Sequence, residues 1–192
     1  MKQRIEAILR ETIGLHEALI AEAPRIGQMA RRIAEALARG GTLYVMGNGG
    51  SAADAQHMAG ELVGRFLLEG RAPLPCLALS TDTSVLTAVG NDFGMDQVFV
   101  RQVQAYVREG DAVLGISTSG NSPNVVLAVE EAHRRGAVTL GLLGGDGGEL
   151  ASACDLAVVV PARTSPRIQE GHATVVHILC ELVEEALVEP ST

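Results

Sequence analysis

Five short apolar runs punctuate the chain: residues 42–47 (TLYVMG), 74–80 (LPCLALS), 112–118 (AVLGIST), 137–144 (AVTLGLLG) and 155–161 (DLAVVVP). Each is nearly continuous in apolar residues instead of alternating with polar ones. Such runs fit strands covered on both faces, as in a parallel sheet. The stretches between them carry helical patterns: from Ser51, around Ser84–Val89 and Asp96–Val107, over Ser122–Arg135, near Glu149–Ala153 and from Arg167 to Leu187. Strands alternating with helices predict an α/β fold, a three-layer αβα sandwich around a five-stranded parallel sheet. In open sheets of this kind ligands bind beyond the carboxyl ends of the strands. The loops leaving the strands are therefore where chemistry is to be sought.

Two helices precede the first strand. Residues 2–21 place Ile5, Ile8, Leu9, Ile13, Leu15 and Leu19 at helical spacing, and Pro24 interrupts the pattern. A second helix carries Ile26, Met29, Ile33 and Leu37 and stops at Gly40-Gly41. Their apolar faces make them candidates for subunit contacts. The expectation is one domain over 1–192, with an N-terminal helical extension at 1–40 and an αβα core at 41–188.

Composition excludes several classes of function. The formal net charge is −8, which disfavours nucleic acid as a partner. Lys2 is the only lysine, so an internal Schiff base is excluded. Cys76, Cys154 and Cys180 form no CxxC pair and read as reduced core thiols. The first twenty residues are too charged for a signal peptide, and no apolar run reaches a membrane span of ~18–20 residues. A cytoplasmic protein is expected.

The loop after the third run, Ser117–Asn124 (STSGNSPN), offers the hydroxyls of Ser117, Thr118, Ser119 and Ser122. Pro123 suits the first helical position and makes Ser122 the natural N-cap. A helix start with free amides attracts an anion. With no lysine or arginine in the loop, neutral donors have to carry a phosphate. The loop after the first run, GNGGSAAD, also feeds a helix. Ala52 stands where a dinucleotide fingerprint wants its last glycine, and there is no Walker lysine. Two such loops suit a small phosphorylated ligand.

Just past the first loop, His57 and Glu61 lie four residues apart, one turn apart on one helix face. The last helix carries Gln169, Glu170, His172 and His177. Gln169 and His177 differ by about 80° in azimuth and ~12 Å along the axis, so they share a ligand only if it sits midway or Gln169 lies in a non-helical lead-in.

Four stretches together, GNGGSAADAQHMAGELVGRF, STDTSVLTAVGNDFG, GDAVLGISTSGNSPNVV and RIQEGHATVVHILCELVE, resemble the phosphoheptose isomerase family, whose fold is the sugar isomerase (SIS) domain. The resemblance runs from Ile5 to about Glu184. It implies an aldose–ketose isomerisation of sedoheptulose 7-phosphate to D-glycero-D-manno-heptose 7-phosphate, a precursor of lipopolysaccharide-core and other bacterial heptoses. It implies Glu61 as base and His177 as its partner acid/base. It also implies one zinc held by His57, Glu61, Gln169 and His177. Substrate contacts would come from Asn48, Gly49, Gly50, Ser51, Glu61, Asn91, Asp92, Ser117, Thr118, Ser119, Ser122 and Gln169. The family's homotetramers, with active sites at subunit interfaces, are implied as well. Pro166 departs from the small or acidic residue expected there. Two other readings are a noncatalytic SIS protein that associates with the replication initiator, and a SIS isomerase of another sugar phosphate. Glu61 and His177 stand against the first.

Overall fold

The computed structural model describes residues 1–187; the expected core limit at 188 lies outside the described residues. Five strands form one parallel sheet: β1 (Leu43–Gly47), β2 (Cys76–Ala78), β3 (Ala112–Ser117), β4 (Val138–Leu143) and β5 (Leu156–Val159), in the order β2-β1-β3-β4-β5. Eight helices surround it among the described residues: α1 (Lys2–Leu19), α2 (Ala23–Ala38), α3 (Gly50–Val63), α4 (Thr83–Phe93), α5 (Val100–Tyr106), α6 (Pro123–Arg134), α7 (Leu150–Ala153) and α8 (Ser165–Leu187).

The pleat sends successive side chains to opposite faces. Leu43, Val45, Leu114, Ile116, Leu140 and Leu142 join a core cluster with α2, α3 and α8. Tyr44, Met46, Val113 and Leu143 join a second cluster with α5, α6 and Leu150 of α7. These are the two outer layers of the sandwich. β2 is shorter than the apolar run that contains it. It is an edge strand, and Pro75 just before it has no amide to give, while the Pro75 carbonyl accepts from Leu43 N at 3.0 Å.

The N-terminal helices differ in burial. Pro24 sits in the first turn of α2, where its missing amide costs nothing, and a 3-10 turn at Ile20–Glu22 links the helices with little break. α2 buries Met29 and Ile33 completely. α1 touches the rest through α8: Thr12 Oγ1 donates to Glu170 at 2.8 Å, and His16 Nε2 pairs with Thr174 Oγ1 at 2.8 Å. Its outer face exposes Ile5 (51%), Leu9 (56%) and Ile13 (58%), and Ile20 follows just beyond at 71%. These four lie within about 80° of azimuth, a single apolar stripe. No helix among the described residues is long and apolar enough to cross a membrane.

A buried ion pair ties the segment after α3 to α8. The Arg71 and Glu184 side chains are each 1% exposed, and Arg71 Nε donates to Glu184 Oε1. Glu184 also accepts from the backbone amides of Phe66 at 2.8 Å, Leu67 at 2.9 Å and Leu68 at 3.0 Å. Burial alone pushes this carboxyl up, but Arg71 and the three amides outweigh it and hold it at about 2. The unfolded carboxyl titrates near 4.5, so the folded state binds this proton more weakly. The stabilisation is complete above the unfolded value and is lost as pH falls through about 2. Acid unfolding followed by circular dichroism should therefore show a limb between these values that Glu184→Gln flattens. An unchanged limb in the variant would remove this pair as its cause.

Candidate active site

The strand order places the topological switch between β1 and β3, whose outward loops diverge there. The two loops singled out in the sequence leave these strands. They are joined across the switch by a reciprocal amide pair: Asn48 Nδ2 donates to Asn124 Oδ1 and Asn124 Nδ2 to Asn48 Oδ1, each at 2.9 Å. Asn124 is buried and was not foreseen, because nothing local in the sequence links residues so far apart.

Asn48, Gly49 and Gly50 are exposed at the mouth of the crevice, while Ser51 is buried beneath them. Gly49 takes φ 55°, ψ −119° as it enters α3, a conformation that side chains avoid. In the other loop, Ser117 is buried and its Oγ pairs with Ser122 Oγ at 3.1 Å and accepts from Gly120 N at 3.1 Å. Ser122 does occupy the N-cap of α6, but its hydroxyl is turned to Ser117 and no side chain caps the helix. Thr118 is half-buried, and exposed Ser119 accepts from Asn121 N at 3.2 Å. Gly120 has φ +67°, and a Cβ there would strike the backbone of Gly147. The glycine-rich turn at 144–148 thus braces the serine loop, helped by Glu149 N donating to Asn121 Oδ1 at 2.9 Å. The density of glycine in GGDGG was the available signal.

α3 and α8 run side by side in the same direction. Gly50 meets Gln169, His57 meets His177, and the residues just past α3 meet Glu184. Gly50, Asp54, His57 and Glu61 fall within about 60° of azimuth, one stripe facing α8. His57 Nε2 lies 3.1 Å from Glu61 Oε1 and 3.2 Å from His177 Nε2. The two imidazoles meet edge to face with centroids 4.8 Å apart, and the Phe66 ring lies 5.5 Å from that of His177. His57, Glu61 and His177 offer ligand atoms that all lie within 4.8 Å of one another. One nitrogen–oxygen–nitrogen set at this spacing fits a divalent ion such as zinc.

All three side chains belong to one chain, so no neighbouring subunit is needed to bring α8 to α3. Gln169 lies inside α8, not in a lead-in. Its amide rests where a Cβ of Gly50 would be, about 10 Å of helix rise from His57. Asp54 stands between these positions; burial pushes its carboxyl up, the His57 charge pulls it back, and its Oδ2 is buried without a hydrogen-bond partner. His172 is separate, 0% exposed in the core, and burial pushes it down to about 4. It stays neutral and plays no part in the cluster. Pro166 falls in the first turn of α8, where no amide is needed. Asn91 and Asp92 sit exposed near the end of α4, Asn91 Nδ2 donating to Asp92 Oδ1 at 2.8 Å. α4 buries none of its residues; its last residue, Phe93, and Met95 just past it are exposed.

The SIS domain signature matches residues 10–144. A phosphoheptose isomerase of Pelobacter propionicus is 61% identical over 164 residues, covering 85% of this chain and 86% of the relative. The solved phosphoheptose isomerase GmhA from Neisseria gonorrhoeae is 40% identical with a TM-score of 0.89, covering 95% of this chain and 98% of that one. That from Francisella tularensis is 38% identical with a TM-score of 0.91, covering 95% and 97%. With the sheet, the switch-point loops and the histidine–carboxylate cluster in place, the chain belongs to the phosphoheptose isomerase family of SIS-domain proteins.

Proposed function

We propose that the chain isomerises sedoheptulose 7-phosphate to D-glycero-D-manno-heptose 7-phosphate, supplying bacterial heptose for lipopolysaccharide core, in the cytoplasm where sugar phosphates are handled. The observation that carries this reading is the close approach of Glu61, His57 and His177 beside the crevice, in a chain so similar to phosphoheptose isomerases. Ser117, Thr118, Ser119 and Ser122, with the uncapped start of α6, hold the phosphate. Asn48, Gly49, Gly50, Ser51 and Gln169 line the sugar's path from there to the cluster.

Glu61 takes the proton from C1 of the ketose and returns it to C2 of the enediolate. His177 moves the hydroxyl proton from the oxygen on C1 to that on C2, so atoms and charge balance. Glu61 Oε1 faces His57, which leaves the second carboxylate oxygen for the carbon-bound proton. His57, Glu61 and His177 would hold zinc, and Gln169 on the same seam is the proposed fourth ligand. Bound there, zinc would supply a Lewis acid for the negative charge that develops on the sugar oxygens. Asn91 and Asp92 reach substrate across a subunit contact in a homotetramer, which would also cover the bare α4 and the α1 stripe.

Incubating the protein with sedoheptulose 7-phosphate and following the anomeric signals by NMR should show the aldose appear. Chelation should stop the reaction and added zinc restore it. No aldose with zinc present, or faster turnover of fructose 6-phosphate, would overturn the substrate. Full activity after complete chelation would remove the metal from the reading.

A further inference from the structure

We propose that Arg71 and Glu184 are positioning residues for the His57–Glu61–His177 cluster, acting through the end of α3 and through Phe66. The claim rests on the functional reading above for what the cluster does. The last carbonyls of a helix lack intrahelical partners. At the end of α3, Gly64 N takes the Gly60 carbonyl at 2.9 Å. The next two are taken by the Arg71 guanidinium: Nη2 donates to Glu61 O at 2.7 Å and Nη1 to Leu62 O at 2.9 Å. A cation at this end also answers the negative pole of the helix. The same guanidinium thus holds the main chain of the residue whose carboxylate meets His57.

Glu184 holds the other half. It neutralises Arg71 and gathers three successive amides, Phe66 to Leu68, onto α8. That fold of the chain lays the Phe66 ring against His177, centroids 5.5 Å apart at a 31° tilt. An ion pair serving only as a clamp could end on any carbonyl and back any ring. Nη1 of this one is shared between the Leu62 and Ala72 carbonyls, but Nη2 ends on Glu61 and the turn held by Glu184 backs His177. The arrangement needs a planar fork that reaches two carbonyls while its Nε meets a carboxylate, which a lysine cannot reproduce.

Arg71→Met removes the guanidinium from the Glu61 carbonyl, while Leu62 O keeps the Leu74 amide at 3.0 Å and Glu184 keeps its three amides. Circular dichroism and melting establish the folded range. Within it, zinc affinity by competition with a chromogenic chelator, and kcat on sedoheptulose 7-phosphate, should each fall ~10–100-fold while KM changes little. Arg71→Lys should fall with it, since the charge alone does not restore the fork. Should Arg71→Met fail to fold, Glu184→Gln carries the same readouts through Phe66. A variant that melts lower yet keeps wild-type zinc affinity and kcat would make the pair a clamp only and overturn the proposal. Wild-type protein that takes up zinc but leaves the sugar unchanged would count against the isomerase reading alone, and zinc affinity would still decide the role of Arg71.

Discussion

Glu61→Gln should leave a folded protein whose turnover is lower by ~10²–10⁴-fold, and His177→Ala should do the same. The amide keeps the shape of the carboxylate but cannot accept a proton from carbon. The fold should survive because the Glu61 side chain is 28% exposed and its structural hydrogen bond to Arg71 comes from the main chain. His177 is exposed, so alanine costs a ring contact with Phe66 and no buried charge. Residues that act as a unit lose activity once, so the double variant should be little worse than either single one. Rates by NMR with circular dichroism on each variant check this. Near wild-type turnover in Glu61→Gln would take it out of the mechanism.

The second large effect concerns assembly. Replacing Leu9 and Ile13 together by Glu should break the proposed tetramer into smaller species. Each exposed side chain that an interface buries is worth ~1.5–3 kcal/mol. Two per chain amount to ~10²–10⁴ in an association constant. Activity should fall with assembly if Asn91 and Asp92 serve a neighbouring subunit. Removing residues 1–39 would be a poor test, since it also takes the fully buried Met29 and Ile33 from the core. Light scattering reads the outcome; an unchanged mass in the double variant would free the stripe from any role in assembly.

Strands were easily legible because a strand buried on both faces writes itself as an apolar run, and β1, β3 and β4 follow such runs closely. Short-range chemistry blurred the rest. The run around β2 overstates an edge strand that Pro75 curtails, and the expected helix at 96–107 is a 3-10 turn at Met95–Gln97 followed by α5. Within the site, His57 and Glu61 could be placed together from spacing alone. Their meeting with His177 depends on how two helices lie against each other, which no local pattern encodes. The same holds for Asn48 with Asn124 and for Arg71 with Glu184: each residue reads as an ordinary polar one until the fold pairs it.

The parallel seam of α3 and α8 is fastened at both ends, by Gln169 on Gly50 and by Glu184 on the turn after α3. One inserted or deleted residue anywhere between Gln169 and Glu184 would turn His177 by about 100° relative to one fastening or the other. Length changes in this stretch of the gene should therefore be far less tolerable than substitutions, whereas the surface turn around Glu69 and Gly70 has no such phase to keep.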